Sequence, residues 1–202
     1  MKRTTALTLG VALVAVGVAG LIGTALLSPI VPPVGVCVGG ECGQPTRAGG
    51  PAAVDTMFVE QMIPHHDDAI AMAELALERS TRPEIIGLAE NIVRTQTAEN
   101  DLMRGWYREW FGTAVPERSD QGMMGGMMGG MSDLTALEEA EDFDRAFIEA
   151  MAPHHRRGVM MATMARRSTT RPEVRELTTT IIRTQSEEID LMLAWYEDWY
   201  GR

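Results

Sequence analysis

All four histidines of this 202-residue chain lie in two adjacent pairs, His65-His66 and His154-His155. Each pair ends the same nine-residue pattern, in which phenylalanine comes first, methionine fifth and proline seventh. Imidazole is a common metal ligand, and it is also the side chain whose charge changes near neutral pH. A histidine pair that recurs in one sequence frame therefore indicates a metal site or a pH-sensitive site.

Methionine is the other abundant donor, with 15 residues in the chain. A soft set of imidazole and thioether ligands selects Cu(I) over Zn²⁺, Mg²⁺ or Ca²⁺. Core packing is the competing interpretation for any single methionine, because methionine fills irregular gaps well. The candidate metal ligands recur at equivalent positions of the two halves, and they are Met62, His65, His66, Met72, Met103, Met151, His154, His155, Met161 and Met192. Met160 and Met164 would add thioethers nearby.

Two glutamines and two glutamates interrupt helix faces that are otherwise apolar. They are Gln96, Glu99, Gln185 and Glu188. Buried polar groups need hydrogen-bond partners, and a polar group behind a metal-binding histidine commonly orients its ring. We therefore predict that these four residues orient the histidines rather than bind the metal.

The histidine pairs belong to a long internal repeat. Residues 55–112 align with residues 144–201 at a constant offset of 89 without a gap, and 27 of the 58 positions are identical. The residue pattern of each copy predicts two helices joined by a short turn. In the first helix, from about Asp55 to Arg79, the apolar residues and both histidines recur at spacings of three and four, so the histidines face inward.

Proline occurs in both helices of each copy. Pro64 lies inside the first helix, and Pro153 occupies the equivalent position of the second copy. A proline inside a helix removes one backbone hydrogen bond, so we predict a kink at each position. The second helix is predicted to start with the capping box Thr81-Arg-Pro-Glu84 and to end at the glycine that closes each copy. Two hairpins with matching apolar faces predict an all-α fold, a four-helix bundle over residues 55–202.

The segment between the two copies, residues 113–143, alternates methionine pairs with glycine pairs near its centre. Its glycine content predicts a flexible, accessible segment, whose thioethers could capture soft metal ions and pass them on. A plain linker is the alternative. The methionines concerned are Met123, Met124, Met127, Met128 and Met131.

The chain begins with a segment that predicts membrane attachment. Lys2 and Arg3 precede an uncharged apolar run to about Leu27, long enough to span a bilayer and longer than the usual core of a signal peptide. We predict that residues 1–27 form an uncleaved anchor, with a cleaved secretion signal as the alternative. In both cases the rest of the chain lies outside the cytoplasm.

Residues 28–54 are rich in proline and glycine and predict a linker. They contain the two cysteines, Cys37 and Cys42, which could close a small disulfide loop in an oxidising compartment. A metal-binding cysteine pair is the alternative. No catalytic thiol is indicated.

The overall charge and the missing motifs exclude several functions. The net charge of −10 argues against nucleic-acid binding, which needs clustered lysine and arginine. No serine–histidine–aspartate set, nucleotide loop or catalytic carboxylate pair is recognisable, so an enzyme is the less favoured class. A haem held by histidine and methionine is an alternative cofactor. A metal-independent scaffold or pH sensor is another alternative. The sequence predicts no particular protein partner.

The pattern Phe-x-x-x-Met-x-Pro-His-His, followed in the second helix by Gln-x-x-Glu-x-x-x-Met-x-x-Trp, resembles the family called domain of unknown function 305. The resemblance covers residues 55–112 and 144–201. It implies a ferritin-like four-helix bundle that is secreted or membrane-attached in bacteria. Some members of the family are associated with copper, which implies copper ligands at the ten candidate positions named above.

This chain lacks the Glu-x-x-His motif of the di-iron ferritin-like enzymes, which argues against oxidase chemistry. We therefore expect an extracytoplasmic protein that sequesters or delivers Cu(I).

Overall fold

The computed structural model describes residues 51–116 and 134–201, and every regular element within these ranges is a helix. The helices are α1 (Pro51–Arg79), α2 (Pro83–Phe111), α3 (Leu134–Glu138), α4 (Phe143–Ser168) and α5 (Pro172–Tyr200). The all-helical prediction is confirmed for this part of the chain. The predicted anchor, both cysteines and the methionines of residues 123–131 lie outside the described residues.

Two helix boundaries differ from those expected from the sequence. α1 begins at Pro51, so it takes in the last residues of the predicted linker 28–54. α3 lies within residues 113–143, where no helix was predicted, and its Leu137 is buried in the core. None of the described helices is long and apolar enough to cross a membrane.

The helices pair as the repeat predicts. α1 packs along α2 and α4 packs along α5, which gives one hairpin for each copy. The hairpins meet where α1 contacts α4, and α3 lies against both of these helices. The contact between α1 and α4 therefore forms the main described interface between the two copies.

The core consists of two apolar clusters, here called the Met62 cluster and the Met72 cluster after one member of each. α1 contributes residues 58–63 to the Met62 cluster and residues 69–76 to the Met72 cluster, and its histidines come between them. α4 passes through the same clusters in the opposite order, so the two helices are antiparallel.

A polar layer separates the two clusters. Its buried members are His65, His66, Gln96, Asn100, His154, His155, Gln185 and Glu188. Polar groups in a core need hydrogen-bond partners, because an unpaired buried group loses its contacts with water and gains none in exchange. The side chains of this layer therefore need partners from one another, from water or from a ligand.

The capping box predicted at the start of α2 is wrong. The N-cap residue is Arg82, whose side chain makes no capping hydrogen bond, and Pro83 opens the helix, where a missing N–H is tolerated. The Arg82 N–H donates a hydrogen bond to Ser80 Oγ at 3.1 Å. Arg82, rather than Thr81, is therefore the residue that immediately precedes the helix. The predicted end of α2 is confirmed, because Gly112 has the left-handed φ of 67° that favours glycine.

An arginine of the first copy reaches across to the second. Arg82 Nε lies 3.1 Å from Asp144 Oδ2. The guanidinium of Arg82 also lies 4.0 Å from the centroid of the Trp199 ring, close enough for a cation–π contact. The repeated Thr-Arg-Pro-Glu sequence therefore supplies a contact between the copies as well as a helix start.

Arg171 makes the equivalent contact with the first copy. Its Nε lies 3.5 Å from Asp55 Oδ2, and its guanidinium lies 4.1 Å from the centroid of the Trp110 ring. The Asp55 side chain is only 1% exposed. A carboxylate this deeply buried relies on a nearby positive charge, because it has lost its hydration.

We expect Arg171→Ala to lower the free energy of unfolding by about 3 kcal/mol, because it leaves the Asp55 carboxylate buried without its arginine. Urea unfolding measures this change. Arg183→Ala is the matched control, since Arg183 pairs with Glu187 on the exposed surface of α5, and such pairs contribute less than about 0.5 kcal/mol. An equal loss in the two variants would contradict a special role for Arg171.

Candidate metal centre

His65 and His154 occupy equivalent positions of the two copies and meet where α1 contacts α4. Their rings stack with centroids 3.7 Å apart and an interplanar angle of 2°. The two residues are 5% and 1% exposed, so both lie on inner faces, as the helical spacing predicts. Rings stacked this closely cannot both be positively charged without strong repulsion.

Burial keeps this stacked pair neutral at pH 7. Burial, and then electrostatic interactions with His66, Arg157 and His155, lowers the pKa of His65 to about 3. The pKa of His154 is lowered as well, again chiefly by burial. A neutral imidazole keeps a lone pair on one ring nitrogen. His65 Nε2 and both ring nitrogens of His154 are buried without a hydrogen-bond partner.

His66 and His155 are each held by a glutamate. His66 Nε2 lies 2.8 Å from Glu99 Oε2, and His155 Nε2 lies 2.8 Å from Glu188 Oε2. An ionised carboxylate can only accept a hydrogen bond, so Nε2 donates, and the neutral form of each ring then has its lone pair on Nδ1. Both Nδ1 atoms are buried without a partner. Metal-binding histidines commonly have a carboxylate placed in this way.

The glutamines of the polar layer behave differently from the glutamates. Gln96 Oε1 and Gln185 Oε1 are buried without a hydrogen-bond partner, so neither oxygen orients an imidazole as predicted. Asn91 was missed by sequence reasoning, although its Nδ2 donates to Glu188 Oε1 at 2.9 Å. The repeat gave no signal for it, because the second copy has Thr180 at the equivalent position.

The candidate methionines group across the two copies rather than within each copy. Met72, Met151 and Met192 share one cluster, and Met62 and Met103 share the other with Met161, which packs against it partly buried. Met72 of the first copy therefore lies with two methionines of the second copy, and Met161 of the second copy lies with two methionines of the first. Each lies about two helical turns beyond its histidines, and the antiparallel packing of α1 on α4 brings it beside the other copy's methionines.

The buried candidate donors of this bundle are imidazoles and thioethers. Within residues 51–116 and 134–201, no three histidine, cysteine, aspartate or glutamate side chains come together as a metal site. Met160 and Met164 are 47% and 54% exposed, so they lie on the outer surface of α4 rather than beside the histidines as expected. The buried donor set is therefore soft.

The lowered pKa of His65 predicts that acid destabilises the metal-free protein. The unfolded chain takes up this proton near pH 6.5, whereas the folded chain does so only near pH 3. Stability is therefore complete above pH 6.5 and falls as the pH drops, by up to about tenfold in the unfolding constant per pH unit for each such histidine. Urea unfolding between pH 7 and pH 5, above the range where carboxylates titrate, measures this.

A variant with His65→Asn and His154→Asn is the control for the acid effect, and we expect a shallower slope from it. Equal slopes in the two proteins would show that other groups cause the loss of stability.

Known proteins share the sequence pattern and the fold of this chain. The family model described as "Domain of unknown function (DUF305)" matches residues 55–196. The solved structure of CopM in the Cu(I)-bound form is 46% identical, with a TM-score of 0.65, over 73% of this chain and 98% of that chain. CopM in the Cu(II)-bound form is 48% identical, with a TM-score of 0.67, over 72% and 97%.

A DUF305 fragment from Deinococcus radiodurans is 29% identical, with a TM-score of 0.60, over 70% of this chain and 93% of that fragment. A comparison with curated proteins finds no match. The family model covers more than half of the sequence. The chain therefore belongs to the family of the domain of unknown function 305.

Proposed function

We propose that this protein binds Cu(I) outside the cytoplasm, through the histidines of the polar layer and the methionines of the two clusters, and that it sequesters or delivers the metal. One observation carries the proposal. Four buried histidines with unpartnered ring nitrogens lie between two groups of three methionines. Neutral imidazole and thioether are the ligands that Cu(I) prefers.

The electrostatics of the polar layer support this ligand set. Burial lowers the pKa of His65 and of His154, so these imidazoles are free of competing protons at neutral pH. Glu99 and Glu188 accept the Nε2 hydrogens of His66 and His155, and the Nδ1 atoms of these two rings have no partner. An ion that entered the layer would therefore find nitrogen donors already in the required protonation state.

The related structures support a copper or silver ion. CopM, which is 46% identical to this chain, has been solved in Cu(I)-bound and Ag-bound forms. Silver as Ag(I) shares the preference of Cu(I) for sulfur and nitrogen ligands. The predicted anchor in residues 1–27 and the methionines of residues 123–131 fit a protein that meets copper outside the cytoplasm.

The histidine geometry gives no support to one haem bound by both His65 and His154. Two histidines that bind one haem point their nitrogens at the iron from opposite faces of the macrocycle. His65 and His154 instead lie parallel with ring centroids 3.7 Å apart, so their in-plane lone pairs do not meet at a common point. The same geometry argues against one ion bound by both of these rings and favours two separate ions.

We expect His66→Ala with His155→Ala to weaken Cu(I) binding at least about tenfold, because it removes two free Nδ1 donors. Competition with a colorimetric Cu(I) chelator under anaerobic, reducing conditions measures the affinity. The full-length chain should carry Cys37→Ser and Cys42→Ser, so that thiolates do not contribute. Met160→Ala with Met164→Ala is the control, because it removes two exposed thioethers. Unchanged affinity in a folded histidine variant would reject the site.

The grouping of methionines across the copies makes a second prediction. Leucine matches methionine in volume, so it removes the thioether with little loss of packing. Replacing Met62, Met103 and Met161 together by leucine should abolish one of two Cu(I) ions and leave the other unchanged. Replacing Met62, Met72 and Met103 together should weaken both ions, because this set takes donors from both clusters. The opposite pattern would place each site within a single copy.

A further inference from the structure

A surface groove between α4 and α5 distinguishes the second hairpin from the first. The groove has a volume of about 260 Å³ and is lined by Arg156, Val159, Ser186, Ile189 and Asp190. Two exposed apolar side chains extend it. Met160 follows Arg156 by one helical turn, Leu193 follows Ile189 by one turn, and the two are 47% and 43% exposed. We call these seven residues together the α4–α5 face.

The first hairpin has a polar network at the equivalent place. Asn100 Nδ2 donates to Asp67 Oδ1 at 2.7 Å, and Arg104 Nη2 lies 3.2 Å from Asp67 Oδ2. These three side chains connect α1 to α2 and satisfy one another. The fold therefore accepts hydrogen-bonded polar residues at this place.

The second hairpin has apolar residues where this network would be. Ile189 and Leu193 occupy the positions of the asparagine and the arginine, Arg156 occupies that of the aspartate, and Met160 stands in place of Ala71. Single exposed apolar side chains are ordinary, whereas a cluster with a charged rim marks an interaction site. Because the first hairpin packs with a polar surface here, the hairpin fold does not require the apolar side chains.

The two charges of the face make it complementary to itself. Arg156 on α4 and Asp190 on α5 are both exposed, and neither pairs with another side chain within residues 51–116 and 134–201. A twofold axis that runs between the two helices would place Arg156 opposite the partner's Asp190, and the same contact would recur on the other side of the axis. The apolar side chains would then cover one another at the centre.

We propose that two copies of this chain associate through their α4–α5 faces into a dimer with twofold symmetry. Burial of Met160, Ile189 and Leu193 drives the association, and the two pairs of opposite charge fix its orientation. The first hairpin has the polar network instead of a second face of this kind, so association ends at two copies. This proposal goes beyond metal binding and does not depend on it.

A variant that transfers the polar network to the second hairpin tests the proposal. It combines Arg156→Asp, Ile189→Asn and Leu193→Arg in the full-length chain, in detergent, with both cysteines replaced by serine and with a metal chelator present. Sedimentation equilibrium measures the dimer dissociation constant. We expect the variant to weaken the dimer at least about tenfold. Leu102→Arg is the control, because Leu102 is 52% exposed on α2 outside the face, and it should leave the constant within about twofold.

Charge reversal tests the pairing across the twofold axis. Arg156→Asp alone and Asp190→Arg alone each place like charges opposite one another, so each should weaken the dimer about tenfold or more. An equal mixture of the two variants should dimerise with an affinity near that of the parent. In the mixed dimer each new charge faces its opposite in the partner, so both ion pairs are present.

Three outcomes would overturn the proposal. A parent chain that is monomeric at every concentration measured would leave the face to a partner other than a second copy. A folded triple variant that dimerises as well as the parent would place the interface elsewhere, in the N-terminal segment or on another surface. A mixture of the two charge variants that associates no better than either alone would reject the twofold pairing. Circular dichroism verifies that each variant folds.

Discussion

The neutral stack of His65 on His154 is the contact on which the rest of the bundle depends. It lies where α1 meets α4, at the centre of a polar layer between two apolar clusters. Two charged rings could not remain 3.7 Å apart in a core, so the layer needs these two histidines neutral. The same condition leaves their lone pairs free to bind a metal. Packing and the proposed metal binding thus both require neutral imidazole rings at these positions.

The duplication matters because neither copy is complete alone. Arg82 and Arg171 each pair with an aspartate of the other copy. Each methionine cluster also draws on both copies, with Met72 and Met161 as the crossing members. A single hairpin would expose its apolar face and would lose part of each donor group. The duplication therefore creates contacts and donor groups that are shared between the copies. It does not create two independent sites.

Much of the fold could be predicted from the sequence, because burial in a helix follows its 3.6-residue period. That period placed Met62, His65 and Met103 on inner faces, and all three are buried. It could not show which hairpin a methionine meets, because periodicity contains no information about packing between hairpins. The contrast between Arg104 and Leu193 was equally inaccessible, since it has meaning only once the structure places Asp67 beside Arg104.

The central claim is that the free nitrogens of the buried histidines bind the metal, and nitrogen NMR tests it most directly. The chain with Cys37→Ser and Cys42→Ser, labelled with ¹⁵N-histidine, would be titrated with Ag(I). We expect the Nδ1 signals of His66 and of His155 to shift, while their Nε2 atoms stay protonated against Glu99 and Glu188. Bound Ag(I) with all four imidazoles unchanged, or with shifts confined to those Nε2 atoms, would contradict it.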